Sequence, residues 1–357
     1  MKNLITLILS VALSSAGFAA VWTVDNNLES GAQFTSVTTA MNAATAGDTL
    51  LIHPSEYSYG NLNLNKSLAL IGPGHKPEVS GGMSAIFAAI NLMNGSSGSI
   101  IEGFYLNQVV GSLWNVAHDI TIRNNYFVGS APISSTYGDS SDSDNWIIEG
   151  NVMVDNATCG GCKMISINTS AGQSDNWIFR NNVIQSSSAS ANKMFSRLNS
   201  TATFANNLII YSSTSELFVD SDFTLFENNI FWCTAANLDI DLGCADCIFN
   251  NNLAYNPNDV LVDLPGMDNV LNEDPMFSDI TGVNWNYDHD YSLSAGSPAI
   301  GAASDDGDVG IHGAGYNFSM EGYPADHPRL TFVTPQYIVV PLDTPFNLEF
   351  GAKRSGL

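Results

Sequence analysis

Six short apolar segments along the middle of the chain are each interrupted by an asparagine pair or a close variant of one. They read Ile122-Arg123-Asn124-Asn125-Tyr126-Phe127, Ile148-Glu149-Gly150-Asn151-Val152-Met153, Phe179-Arg180-Asn181-Asn182-Val183-Ile184, Phe204-Ala205-Asn206-Asn207-Leu208-Ile209, Phe226-Glu227-Asn228-Asn229-Ile230-Phe231 and Phe249-Asn250-Asn251-Asn252-Leu253-Ala254. A seventh, Ile101-Glu102-Gly103-Phe104-Tyr105-Leu106, carries glycine instead. Such recurrence defines a stacked repeat, in which each unit buries its apolar face only against its neighbours. From Gly103 through Asn125, Asn151, Asn182, Asn207, Asn229 and Asn252 the steps are 22, 26, 31, 25, 22 and 23 residues. Helical repeats need about 33 residues or more, and the leucine ladder of leucine-rich repeats is absent. One coil of a parallel β-solenoid, with two or three short strands, fits the shorter steps. The longer steps read as coils carrying surface insertions.

The asparagines have a structural task in that arrangement. Asn tolerates the left-handed backbone that a sharp bend between strands requires. Piled one coil above another, the side-chain amides can bond along the stack as a ladder. Gly103 and Gly150 meet the backbone demand alone.

The first 20 residues read as a secretory signal: Lys2, the apolar run Leu4 to Leu13, then small residues up to Ala20, with cleavage expected after Ala19. No other stretch approaches the ~18 consecutive apolar residues of a membrane span. An exported chain, secreted, periplasmic or on the cell surface, is the expectation. The 35 acids against 11 bases give a net charge of −24. That balance excludes a nucleic-acid partner, which demands clustered Lys and Arg. It also disfavours polyanionic substrates in the absence of a local basic patch.

Toward the N-terminus, Val21-Trp22-Thr23-Val24 reads as a strand, and Phe34, Val37, Met41 and Ala44 mark one face of a helix running to about Ala46. Strands follow at Thr49-Leu50-Leu51-Ile52 and at Ser67 to Ile71, the latter before Gly72-Pro73-Gly74. This helix, the Ala-Gly-Asp-Thr-Leu-Leu-Ile run and the strand ending in Ile-Gly-Pro-Gly resemble the N-terminal cap and first coil of right-handed parallel β-helix proteins of the pectin-lyase-like superfamily. Asn272 to Phe277, Asp290 to Leu293, Gly296 to Gly301 and Asp308 to Ile311 resemble the closing segment of secreted bacterial β-helix proteins. The expected fold is therefore all-β: a right-handed parallel β-helix with an N-terminal capping helix and a short C-terminal β tail. Residues 1–20 are the signal peptide, 21–316 the β-helix and 317–357 the tail. The resemblance implies a superfamily of pectate and alginate lyases, polygalacturonases, tailspikes and adhesins, so it leaves activity open.

A lyase of this superfamily uses Lys or Arg as base and cations to neutralise a uronate carboxylate. The central basic pair, Lys193 and Arg197, is the catalytic candidate, with the two residues placed on one strand face. Lys163 and Arg180 are candidates for adjacent coils. A hydrolase needs paired carboxylates; Asp239 with Asp241 and Asp220 with Asp222 supply pairs. Ca²⁺ binds carboxylate and carbonyl oxygens, so Asp139, Asp142, Asp144, Asp239 and Asp241 are candidate ligands for a calcium cofactor. Trp146 and Trp177 occupy matching positions in Asp-Asn-Trp-Ile and form either a sugar platform or a buried stack. Cys159 with Cys162, and Cys233 with Cys244 or Cys247, are candidate disulfides in an exported chain. The leading reading is an exported β-helix protein that binds extracellular polysaccharide or a cell-surface partner. A polysaccharide lyase or glycoside hydrolase is the alternative, and a structural or adhesive surface protein the third.

Overall fold

The asparagine repeat winds the chain into a parallel β-solenoid with three walls. The computed structural model describes residues 19–28, 30–129, 131–135, 142–155, 163–167, 174–186, 193–212, 217–234, 240–282, 284–323, 328–335 and 348–354. The expected signal peptide falls almost wholly on residues 1–18, outside the described residues. Among the described residues no helix is long and apolar enough to cross a membrane.

The first wall holds ten parallel strands, from Val21–Val24 and Thr49–Ile52 through Thr121–Arg123 to Ile248–Asn250. The second wall runs from Tyr105–Leu106 and Tyr126–Phe127 to Leu253–Tyr255 and Val270–Leu271. The third contains Val109–Gly111, Ile133–Ser135, Lys163–Ser166, Lys193–Ser196 and Phe218–Val219. The long strand Ile86–Leu92 pairs with both Tyr105–Leu106 and Val109–Gly111, so it joins the second and third walls.

Register stacks like on like in the interior. Ile122, Ile148, Phe179, Phe204, Phe226 and Phe249 form one inward column of the first wall. Its rings stack at 4.4, 4.8 and 5.0 Å between centroids. The helix Val37–Ala43 buries Val37, Ala40 and Met41 in the same core. Ser36 accepts from Thr39 N–H at its start, and Ala44 is already extended, so the helix stops short of Ala46. Lys66 Nζ donates to the carbonyls of Met41, Asn42 and Ala44, satisfying its C-terminal end.

The two asparagines of each pair divide the labour. The first, at 124, 181, 206, 228 and 251, takes a positive φ and turns the chain between the first and second walls. The second points inward. Asn151 donates its backbone N–H and its Nδ2 to Asn182 Oδ1, at 2.9 and 3.0 Å. Asn182 repeats this with Asn207, Asn207 with Asn229, and Asn229 with Asn252. The pile continues to Asn269, 17 residues beyond Asn252, where Asp268 supplies the left-handed bend.

A return segment, residues 277–323, forms a second core on the outer face of the second wall. Val152, Val183, Leu208, Ile230 and Leu253 point outward there and are buried beneath Trp285, Tyr291, Ala299, Val309, Ile311 and Phe318. Its anchors step back coil by coil. Ala302 O accepts from Asn251, Ser304 pairs with Asn228, and Ile311 O and Gly313 O accept from Asn181. Tyr316 lies beside Gly150, and Glu321 O accepts from His75 N–H at 2.9 Å. A side chain at position 150 would meet the Tyr316 hydroxyl at 2.1 Å, which explains glycine rather than asparagine there. The packed body thus runs past residue 316. Beyond it, Pro328–Pro335 pairs antiparallel with Leu348–Arg354.

From Asn125 to Asn252 the inward amides are buried and paired. Asn182→Ala removes an acceptor from Asn151 and a donor to Ile148 O and Asn207. Each buried group left unpaired costs about 1–3 kcal/mol. A loss of roughly 3 kcal/mol or more is expected in chemical denaturation followed by circular dichroism.

Candidate functional site

The residues singled out by sequence scatter over several parts of the molecule, some of them in the core. Trp146 and Trp177 stack at 4.2 Å between centroids, but both are 0% exposed. The sugar platform is therefore excluded for this pair, and the buried stack holds. The preceding asparagines explain the orientation. Asn145 and Asn176 take positive φ, which turns the next side chain into the core. Their amides, with Asp119, build a second ladder on the outside. Each indole N–H donates to a backbone carbonyl, of Ala117 for Trp146 and of Ser143 for Trp177.

Lys193 opens the strand Lys193–Ser196, and Arg197 follows it with φ 55°. That bend ends the strand alternation at Arg197. In register, the neighbour of Lys193 is Lys163, on the adjacent strand. Arg180 lies on the first wall and pairs with Glu149 at 2.6 Å, below the matching pair Arg123–Glu102 at 2.8 Å. Cys244 bonds Cys247 within one tight turn, and Cys233 is free and buried. The coil-closing disulfide through Cys233 is therefore replaced by a local one. Burial pushes the Cys233 thiol up to about 12. Cys159 and Cys162 lie outside the described residues.

The acids form two groups. Asp220, Asp222 and Asp241 line a cleft of about 380 Å³ where Ser221–Asp222 pairs with Cys244–Ala245. Asp239 lies outside the described residues. Asp142 and Asp144 meet His118, which sequence did not link to them, with ligand atoms within 4.8 Å of one another. His118 Nδ1 already accepts from Asp144 N–H at 3.2 Å. Burial, and then the Asp144 carboxylate, raise Asp142 above the usual carboxylate range. This trio offers two carboxylates and an imidazole, against the six to eight or so oxygens that Ca²⁺ takes. Asp139, the other expected ligand, lies outside the described residues.

A different surface combines aromatic and polar groups. Tyr105 and Tyr126 are register partners on the second wall, in the same outward column as Val152. The return segment covers that column from Val152 onward, but leaves both tyrosines partly exposed. Their rings stack at 5.2 Å, and Tyr287 adds a third ring at 5.7 Å. Lys76 Nζ sits 5.5 Å above the Tyr287 ring. Tyr105, at the end of the stack, lines a cleft of about 660 Å³ with Ser55, Glu56, Gly81, Gly82, Met83 and Ile86. Burial raises all three phenols, Tyr126 to about 12, so their hydroxyls stay neutral. No motif foretold this cleft, because its residues come from three separate coils: Ser55 and Glu56 from one, residues 77–86 from the next and Tyr105 from the third.

A scan against protein-family models finds no match for the chain, and a search of curated proteins finds none either.

His75 ties this region to the return segment. It is wholly buried, its Nδ1 lies 2.9 Å from the Tyr287 hydroxyl, and its Nε2 has no partner. Burial lowers its pKa from 6.5 to about 3. Below pH 6.5 the unfolded chain takes up a proton that the folded chain refuses, so stability is full above that pH and falls toward pH 3. Between pH 6.5 and about pH 4, thermal or urea unfolding should show roughly 3 kcal/mol more loss for the native chain than for His75→Gln.

Proposed function

We propose that the chain is an exported β-helix protein, built on the pectin-lyase-like plan, that binds uncharged glycans through the tyrosine-lined cleft. The helix Val37–Ala43 is its N-terminal cap, closing an end that would otherwise expose core and strand edges. The reading is carried by one observation: an outward column that is aliphatic and covered along most of the rod becomes tyrosine and partly exposed at Tyr105 and Tyr126. Phenol rings offer a flat apolar face to sugar C–H groups and a hydroxyl to sugar oxygens. Ser55, Glu56 and Ser84 add polar contacts around the same cleft. A net charge of −24 favours a neutral partner over a uronate polymer.

A second reading, a polysaccharide lyase or glycoside hydrolase, draws on Lys163 and Lys193 being backbone register partners and on the cleft of Asp220, Asp222 and Asp241. The two readings part on product. The binding reading expects retention on neutral glycans with neither new reducing ends nor unsaturated uronates, whereas products lost in Lys193→Ala would establish the lyase. In affinity electrophoresis over a panel of neutral polysaccharides, Tyr105→Ala should weaken retention about tenfold or more, the effect of ~1.4 kcal/mol of lost ring contact. Retention unchanged by Tyr105→Ala would remove the cleft from the account.

A further inference from the structure

The tyrosine cleft has a neighbour on the same three strands. Phe87, Leu106 and Phe127 are register partners that point into the core. The residues on either side of them therefore point outward in two parallel columns. One column is Ile86, Tyr105 and Tyr126. The other is Ala88, Asn107 and Val128, continued by the bonds Asn107 N–H to Phe87 O at 3.2 Å and Val128 N–H to Leu106 O at 3.0 Å. Alternate residues along a strand are roughly 7 Å apart.

The first column borders the tyrosine cleft through Ile86 and Tyr105. The second borders another cleft, of about 530 Å³, lined by Asn61, Ala88, Ala89, Asn107, Gln108, Val128 and Gly129. Gly129 keeps the wall low there, since a side chain at that position would lie 1.9 Å from the Asn107 carbonyl. The chemistry of the two clefts is complementary. The first supplies a ring face. The second supplies three carboxamides, each able to donate and accept. Across both linings the sole charged residue is Glu56, and neither contains a base.

We infer that the two clefts are consecutive subsites for one uncharged oligosaccharide, which crosses the second wall from the ring of Tyr105 to the amides of Asn61, Asn107 and Gln108. This deepens the glycan-binding reading and rests on it. A sugar on Tyr105 is fixed by its C–H face. The next sugars along the chain are oriented by hydroxyl contacts to the carboxamides, which match neutral hydroxyls and offer no countercharge to a uronate.

The test is calorimetric titration of the full exported chain with cello-, xylo-, manno- and laminari-oligosaccharides of two to six sugars, with oligogalacturonates as charged probes. For a neutral series that binds, affinity should rise about tenfold between the shortest and longest members, as ~1.4 kcal/mol of added contact gives. Asn107→Ala with Gln108→Ala, and separately Asn61→Ala, should each flatten that rise. Circular dichroism checks that these surface variants stay folded. A rise kept in full by both variants, while Tyr105→Ala still weakens binding, overturns the second subsite and leaves the first standing. Oligogalacturonates bound as tightly as the neutral series overturn the assignment of an uncharged ligand. Absence of binding across every series overturns both the subsite and the reading beneath it.

Discussion

The carboxamide pile is the interaction on which the rest of this molecule depends. Each inward asparagine uses one oxygen to accept from the previous coil and one NH₂ to donate to the next, with a further bond to a strand carbonyl. Such a group has a single satisfied position inside a dry core. It therefore fixes the vertical register of every coil. A slip by one residue would drive the asparagines out and the phenylalanines with them. Stacked rings, outward columns and the anchors of the return segment all inherit that alignment.

The repeat was legible because both of its demands are local. A left-handed bend and an inward amide need two adjacent residues, and they recur at nearly constant steps. Asn269 escaped notice because Asp268 replaces the first asparagine and the step shrinks to 17 residues. Parity was harder to read. Trp146 and Trp177 were recognisable as a stacked pair, but the bend at Asn145 and Asn176 decided that they face inward. Arg197 takes the same left-handed bend, just past the strand that Lys193 opens. The return segment depends on contacts such as Trp285 with Gln185, 100 residues apart. One signal for it was present: Leu208–Tyr211 and Ile230–Cys233 are apolar without alternation, as strands covered on both faces must be.

Cover and opening on the second wall are two states of one column. Along Val152, Val183, Leu208, Ile230 and Leu253 the outward residue is aliphatic and lies under the return segment. At Tyr105 and Tyr126 it is a phenol that tolerates water at its hydroxyl and packing at its ring. The cleft lies where the cover thins; Ile86 and Tyr105 fix one side of it on strands backed by the core, and turns around Ser55 and residues 77–84 complete it. A site placed on such strands keeps its geometry better than one placed on the inserted loops.

The return segment also changes how this rod comes apart. In an ordinary solenoid a terminal coil touches a single neighbour and can fray without disturbing the rest. Here the stretch from Ala302 to Glu321 bonds coils bearing Asn251, Asn228, Asn181 and His75 in turn. Peeling the last coil strips the buckle from those before it, so the tower melts as one cooperative body and its tip gains the protection of its middle.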